Sequence, residues 1–227
     1  MTIKELFFNK SGLEIGGPSP IFKEDGKLPI YQALNNLDGC NFSQQTIWEG
    51  NLKEGLTFKY GDKTGNQFIF EASELSKRIP LCNYDFIISS NCFEHLANPL
   101  KAIEECLKIL KHKGILLLVL PKKDANFDHN RATTSFDHLQ DDFKKGIKED
   151  DLSHLEEILN LHDLRLDPWA GTFDQFKIRS LQNYQNRALH QHIFNLELLT
   201  EIYNFFKLNI LFKTDMKDEY LIIGEKE

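Results

Sequence analysis

The chain has 227 residues, a length that suits one large domain. Its hydrophobic fraction of 41% and charged fraction of 27% are typical of a globular protein with a full core. The formal net charge is −7, opposite in sign to what binding to nucleic acid or an anionic membrane surface usually requires. Both classes of partner are therefore disfavoured.

The four cysteines contain no Cys-x-x-Cys pair, so neither a zinc knuckle nor a thioredoxin-type redox site is predicted. The N-terminal residues lack the apolar stretch of a signal peptide. No run of about 18 apolar residues occurs that could span a membrane. We expect a cytoplasmic, reduced protein.

Five short apolar segments predict strands, and they are 12–16, 37–42, 67–71, 84–89 and 114–120. The last is an unbroken Ile-Leu-Leu-Leu-Val-Leu run, which indicates a strand covered on both faces. A helix is predicted before it, with Asn98 as N-cap, Pro99 in the first turn and Gly114 at its end. This order predicts a right-handed βαβ unit.

The C-terminal part predicts a helix that begins at Asn195, followed by two strands, 208–213 and 219–224. Between Pro121 and Asn195 lie roughly 75 residues that belong to neither strand. Such long connections are uncommon in compact domains and are often functional. This insert, 122–195, predicts helices around 152–159 and 173–189, contains six of the eight histidines, and is expected to form a substrate-binding lid.

The segment Leu13–Ser19 places an acidic residue, Glu14, in a strand that runs into a turn of small residues. Glycines after a buried strand let a ligand approach the backbone, and a carboxylate suits a cationic group such as an amine or a sulfonium. Taken alone, the segment is equally compatible with a tight turn capped by Ser19. It lacks the glycine spacing of dinucleotide-binding and P-loop proteins, so an oxidoreductase or a nucleotide hydrolase is disfavoured.

A larger pattern is more specific. The segment 84–100 contains Phe-Ile-Ile-Ser-Ser-Asn-Cys-Phe-Glu-His-Leu and then Asn-Pro-Leu, and a Lys-His-Lys-Gly turn leads into the fifth strand. Together these resemble the central signature of class I S-adenosylmethionine-dependent methyltransferases, in which that turn is Lys-Pro-Gly-Gly-like. Leu13–Ser19 resembles the family's first cofactor motif, and Phe70–Leu75 resembles its adenine-contacting segment. The terminal strand pair matches the antiparallel pair of this fold.

The resemblance implies a single α/β domain over 1–227, with a Rossmann-like, mostly parallel sheet, a C-terminal antiparallel hairpin and a helical insert after strand five. It implies S-adenosyl-L-methionine as cofactor and S-adenosyl-L-homocysteine as product. The ribose is expected at Asn41, with Asp38 as the alternative. The full set of expected cofactor-binding residues is Glu14, Gly16, Gly17, Pro18, Ser19, Asn41, Glu71, Ala72, Ser73, Ser90 and Asn91.

Methyl transfer is an in-line displacement that depends on orientation, and an oxygen acceptor also needs a base to remove its proton. We predict His129 as that base, oriented by Asp128, although a histidine in such a region is more often structural. His95 joins the catalytic candidates but is better suited to bracing its helix. The expected substrate-binding residues are Arg131, Thr134, His138 and His192. No H-x-x-x-H pair occurs, and no metal site is predicted.

Residues 124–143 and the Asp-Leu-Ser-His-Leu-Glu-Glu helix after them also resemble a bacterial subgroup of type 11 methyltransferases, often found beside surface-polysaccharide genes. The favoured function is transfer of a methyl group to an oxygen of a small molecule, such as a sugar or a nucleotide-linked or phosphorylated precursor of a surface glycan. The alternative is a catalytically degenerate scaffold with the same fold. The expected partner is a small-molecule acceptor, and a homodimer is left open.

Overall fold

A single mixed sheet of eight strands organises the protein, for which the computed structural model describes residues 2–227. The strands are β1 (Ser11–Ile15), β2 (Asn36–Asn41), β3 (Gly55–Tyr60), β4 (Lys63–Ile69), β5 (Tyr84–Ser90), β6 (Leu110–Pro121), β7 (Leu208–Asp215) and β8 (Glu219–Lys226). Their spatial order is β3-β4-β2-β1-β5-β6-β8-β7. The five central strands are parallel, whereas β3, β7 and β8 pair antiparallel with their neighbours. The predicted mostly parallel sheet with a C-terminal hairpin is confirmed.

Seven α-helices accompany the sheet in the described part of the chain: α1 (Ile3–Phe7), α2 (Pro99–Ile109), α3 (Phe136–Lys145), α4 (Leu155–Leu161), α5 (Phe173–Leu181), α6 (Asn183–Asn186) and α7 (Leu196–Phe205). Asn98 caps α2 by accepting a hydrogen bond from the Lys101 amide at 3.0 Å, and Asn195 caps α7 in the same way. Between β1 and β2 the chain forms only two short 3-10 turns, at residues 20–22 and 31–33. Among the helices at residues 2–227, none is both long enough and apolar enough to cross a lipid bilayer.

Both faces of the sheet are covered. Along β6, Leu116, Leu118 and Leu120 belong to the core beneath α2 and α7, while the alternating residues belong to the core on the other face. This double burial explains the continuous apolar run, since each buried aliphatic side chain contributes about 1.5–3 kcal/mol. The insert has a small core of its own, made of Ile158, Ala170, Phe176 and Leu189.

The structure differs from the prediction in the end of one helix, the division of another and one additional strand. Helix α2 ends at Ile109 rather than Gly114, because Leu110 already pairs with β5 and the chain bulges before Ile115 rejoins it. The helix predicted over 173–189 is two shorter helices that stop at Arg187, whose φ of 51° is left-handed. Strand β3 was not predicted, since only two of its residues, Phe58 and Tyr60, are buried.

Gly12 in β1 allows a close approach that an added side chain would block. A Cβ there would lie 2.2 Å from the ring of Phe86 on the neighbouring strand. We expect Gly12→Ala to lower the free energy of unfolding by about 1–3 kcal/mol through overpacking. The matched control is Gly50→Ala, because nothing lies within 4 Å of the corresponding Cβ. Urea unfolding of both variants tests this, and equal stabilities would contradict the close packing of β1 on β5.

Candidate functional site

A crevice opens where β1, β2 and β4 reach their carboxyl ends, the edge at which open α/β sheets bind ligands. It encloses about 430 Å³ and has mostly apolar walls. Its lining residues are Ile15, Gly16, Cys40, Asn41, Phe42, Trp48, Phe70, Glu71, Ala72, Cys92, His95, Leu96 and Arg187. Four predicted segments, 13–19, 37–42, 70–75 and 84–100, therefore meet here, together with one residue of the insert.

The turn after β1 is organised by a buried carboxylate. Glu14 accepts hydrogen bonds from the Ser19 amide at 2.9 Å and from the Tyr31 hydroxyl at 2.6 Å. Burial raises the pKa of Glu14 to about 7, although the hydrogen bonds from Ser19 and Tyr31 oppose that rise. A Cβ on Gly17 would lie 2.1 Å from the Glu14 carboxyl carbon, so this position needs glycine. Glu14 supports the turn from beneath and does not line the crevice.

Only Gly16 of this turn forms part of the crevice wall. Its φ of 80° is in the left-handed region, and a Cβ there would lie 2.7 Å from the sulfur of Cys92. Pro18 follows a cis peptide bond, and neither Pro18 nor Ser19 lines the crevice. Glycine is therefore required at position 16 by its left-handed conformation and by the close packing of Cys92.

The two ribose candidates lie in different surroundings. Asn41, the last residue of β2, lines the crevice and donates from Nδ2 to the carbonyl of Gly17 at 3.0 Å. Its Oδ1 atom is buried and has no hydrogen-bond partner. Asp38 lies outside the lining and accepts hydrogen bonds from the Tyr84 hydroxyl at 2.7 Å and the Asn66 amide at 2.8 Å. The Asp38 carboxylate is thus occupied in holding strands together, and of the two candidates Asn41 is the one that reaches the crevice.

Arg187, which the sequence did not single out, forms the crevice wall where the adenine is expected. Arg187 donates to Glu71 at 2.7 Å and lies 4.9 Å above the ring of Phe42. Burial raises the pKa of Glu71, while the charge of Arg187 opposes this rise. Ala72 lines the crevice as predicted, whereas Ser73, Ser90 and Asn91 do not. The left-handed conformation of Arg187 gave no signal in the sequence.

A second, smaller cavity of about 190 Å³ lies beyond the end of β6. Its lining residues are Glu94, Pro121, Lys123, Asn126, Asp128, His190, His192, Ile193 and Phe194. Glu94 is 2% exposed, and neither of its carboxylate oxygens has a hydrogen-bond partner. Burial raises the pKa of Glu94 to about 7, with the charge of His190 opposing the rise. An unpartnered buried carboxylate of this kind often marks a functional site.

His95 and His190 both lie beside this carboxylate. The Nε2 atom of His95 is 3.8 Å from Glu94 Oε1, and the two imidazole rings are 4.7 Å apart. Burial and the neighbouring His190 lower the pKa of His95 to about 3, so His95 is neutral at physiological pH. Burial also lowers the pKa of His190, but the hydrogen bond and charge of Asp128 reverse this effect and raise it overall. Since His95 lines the crevice and Glu94 the second cavity, the pair connects the two.

The predicted catalytic pair in the insert is not formed. His129 is paired through Nε2 with Asp163 at 3.0 Å, and it lines neither cavity. Asp128 instead accepts hydrogen bonds from His190 at 2.5 Å and from Arg131 at 3.1 Å. The prediction that Asp128 orients His129 was therefore wrong, because residues adjacent in sequence direct their side chains to different partners.

The predicted substrate-binding residues mainly contact other residues of the protein. Arg131 is 1% exposed, and its guanidinium contacts Asp128, Glu157 and the carbonyls of the 190–191 segment. The Thr134 hydroxyl accepts a hydrogen bond from the Ile193 amide at 2.9 Å. His138 and His192 lie in a cluster with Asp142 and His154. Four of the five N–H donors of Arg131 are bonded within the protein and the side chain is almost fully buried, which does not favour its predicted substrate-binding role.

Two groups of side chains within residues 2–227 bring potential metal ligands within 4.8 Å of one another. One is the Glu94, His95 and His190 group, and the other is the cluster of His138, Asp142, His154 and His192. No two histidines of the chain are four residues apart, so the sequence did not predict a metal site. The pair on α3 is His138 and Asp142, which are four residues apart.

The chain matches a protein family described as "Methyltransferase domain" over residues 8–168, and it belongs to this family. No curated protein matches it. A solved structure of a SAM-dependent methyltransferase from Methanosarcina mazei is similar, with 16% identity, 96% of this chain and 92% of that chain covered, and a TM-score of 0.52. A Pyrococcus horikoshii protein is similar at 9% identity, with 96% and 82% covered and a TM-score of 0.51.

These similarities confirm the class I methyltransferase fold that the sequence predicted. Membership of the family supports the predicted class of enzyme and its methyl donor, S-adenosylmethionine. The crevice at the ends of β1, β2 and β4 is thus the candidate methyl-donor site.

Glu94 should make stability depend on pH. Its pKa is about 7 in the folded protein and about 4.5 when exposed, so the folded state holds a proton that the unfolded state releases between these values. The free energy of unfolding therefore falls as pH rises from 4.5 through 7. We expect Glu94→Gln to be more stable than the wild type at pH 8, by on the order of 2 kcal/mol, with no gain near pH 4.5.

Denaturant unfolding across this pH range measures the effect. The control is Glu201→Gln on the exposed side of α7, which should not change the pH dependence. A constant difference between Glu94→Gln and the wild type at all pH values would contradict the raised pKa of Glu94.

Proposed function

We propose that this protein binds S-adenosylmethionine in the crevice and transfers its methyl group to an oxygen of a small-molecule acceptor. The observation that carries the proposal is the buried Oδ1 atom of Asn41, which lines the crevice without a hydrogen-bond partner. A buried acceptor of this kind is costly unless a donor reaches it, and a ribose hydroxyl supplies one. The donor molecule contributes an electrophilic methyl group on a sulfonium.

The residues around Asn41 suit the rest of such a ligand. Gly16 lines the crevice at the end of β1, and the walls near Phe70 and Ala72 are apolar, as an adenine ring requires. Glu71 provides a carboxylate at the same end, shared with Arg187. The order of these groups along the sheet edge supports the assignment of the methionine part near Gly16 and of the adenine near Ala72.

For the base we favour Glu94 over His129. A general base is most effective when its pKa lies near the working pH, and the pKa of Glu94 is about 7. Its two oxygens are free to accept a proton, whereas His129 is paired with Asp163 and lies outside both cavities. A base is needed when the acceptor is a hydroxyl, so this carboxylate supports transfer to oxygen.

The reacting hydroxyl of the acceptor is proposed to reach Glu94 at the second cavity, while the rest of the acceptor lies outside it, with the insert 122–195 as its lid. Lys123, Asn126 and His190 give this cavity polar walls that suit a hydroxyl-rich molecule such as a sugar. The resemblance to polysaccharide-associated methyltransferases supports a surface-glycan precursor made in the cytoplasm. Arg131 does not favour a phosphorylated precursor, because its guanidinium is already paired with Asp128 and Glu157.

A degenerate scaffold is the second candidate. The turn after β1 leads into a 3-10 turn at residues 20–22, so no α-helix directs its N-terminus toward the crevice from this turn. Arg187 and Glu71 also form an ion pair across the crevice wall. A binding partner that uses only the surface would tolerate both features, and a ligand-binding experiment separates the two functions.

We expect S-adenosylhomocysteine to bind to the wild-type protein in isothermal titration calorimetry. Asn41→Ala removes the unpartnered acceptor and should weaken binding about 10-fold, the size of one hydrogen bond to a buried group. Asn204→Ala, on the exposed side of α7, should bind as the wild type does. No detectable heat from the wild type at millimolar ligand would favour the scaffold.

Glu94→Gln should lower turnover by about 10²–10⁴-fold, with binding of S-adenosylhomocysteine unchanged, because a general base contributes in this range. His129→Ala should retain turnover within a few-fold. Formation of S-adenosylhomocysteine with a panel of free and nucleotide-linked sugars is the measurement, and the wild-type rate should rise with pH through about 7. The reverse order of the two variants would restore His129 as the base.

A further inference from the structure

Three segments of the insert bring three imidazoles and one carboxylate together away from the donor crevice. Helix α3 supplies His138 and Asp142, which are four residues apart and therefore on one face. His154 immediately precedes α4, and His192 lies in the extended segment before α7. One ligand atom from each of the four side chains lies within 4.8 Å of all the others. We refer to these four residues as the His₃Asp cluster.

The separations within the cluster are short. His138 Nε2 lies 3.1 Å from His154 Nε2 and 3.0 Å from Asp142 Oδ2, and His192 Nε2 lies 3.9 Å from the same oxygen. In tetrahedral zinc sites the metal–ligand distances are about 2.0–2.2 Å, which places neighbouring ligand atoms about 3.3 Å apart. The separations from His138 are close to this spacing, and all four ligand atoms lie within 4.8 Å of one another, so small side-chain movements would bring them around one ion.

We propose that the His₃Asp cluster binds one zinc ion. Imidazole nitrogens with a single carboxylate are ligands that zinc accepts, whereas magnesium and calcium prefer oxygen ligands throughout. Four protein ligands complete a tetrahedron, which is the arrangement of structural zinc sites rather than catalytic ones. The ion therefore stabilises the insert and takes no part in methyl transfer.

One imidazole of the cluster has a ring nitrogen that the protein leaves without a partner. Metal binding requires such an unprotonated ring nitrogen. Nδ1 of His192 is buried without a partner, so the protein alone does not satisfy this ring.

The groups around the cluster supply an outer shell. The carbonyl of Ala97 lies 3.2 Å from His192 Nε2 and holds the proton on that atom, which leaves Nδ1 as the ring nitrogen free to bind a metal. Glu157 Oε2 lies 3.8 Å from His154 Nδ1, on the side of that ring away from His138. Carboxylates and carbonyls at the second ring nitrogen commonly orient metal-binding histidines. Glu157 also pairs with Arg131, which links the cluster to the interior of the insert.

A zinc ion here would join the parts of the insert that surround Glu94. It would tie α3 and the start of α4 to the segment around His192, whose amide donates to the Glu94 carbonyl at 3.2 Å. His138 is the most exposed ligand, with 38% of its side chain accessible, so an ion can reach the cluster from solvent. The cluster is therefore a brace for the lid, and its occupancy can be measured without any methyl acceptor.

The test uses the full-length, tag-free protein. Inductively coupled plasma mass spectrometry after dialysis should find about one zinc per chain. Titration with cobalt(II) should produce the visible absorption of a tetrahedral site. Adding zinc to metal-stripped protein should raise the melting temperature by several degrees, because a ligand that binds only the folded state stabilises it. Magnesium should have no effect.

His138→Ala and His154→Ala should each weaken zinc binding at least 100-fold. Because the side chain of His138 is partly exposed, its variant should still fold, as circular dichroism can verify. The matched control is His112→Ala, an exposed histidine outside the cluster that should bind zinc as the wild type does. Less than 0.1 zinc per chain with no thermal shift would overturn the proposal, as would equal zinc binding by wild type and His138→Ala.

Discussion

The carbonyl of Glu94 accepts hydrogen bonds from the amides of Gln191 at 2.7 Å and of His192 at 3.2 Å, and this junction joins the insert to the sheet. Because the two amides are fixed there, the residues on either side have defined places. Arg187 reaches the donor crevice, His190 lies beside the Glu94 carboxylate, and the His192 ring enters the His₃Asp cluster. These two backbone hydrogen bonds thus position residues of the candidate donor site, the candidate base and the candidate metal site.

Charged groups are concentrated at this junction at a cost to stability. Burial raises the pKa values of Glu94 and Glu149 to about 7 and lowers that of His95 to about 3. Each shift shows that the folded state disfavours the charged form, and a well-packed apolar core would avoid the cost. Such groups are concentrated where chemistry needs them, which agrees with the proposed path from the donor crevice to the acceptor cavity.

Several elements could be predicted because local patterns determine them. The run 114–120 was assigned to a strand covered on both faces because it is continuously apolar. In the structure every residue of this run is buried. Asn98 and Asn195 were recognised as helix caps because a cap needs only the next few residues. Strand β3 was missed since an edge strand buries few side chains, and the end of α2 was misplaced because a pairing with β5 decides it.

The sequence by itself determined most of the strands and helices, because hydrophobic periodicity and capping residues act over short distances. Its resemblance to class I methyltransferases implied the class of fold and the segments that meet at the sheet edge. Tertiary structure alone decided the roles of the titratable residues. Glu94 acquires its raised pKa from burial by distant segments, and His129 pairs with Asp163 instead of a neighbour in sequence. Side-chain partners depend on which surfaces come together after folding, and no local pattern encodes that.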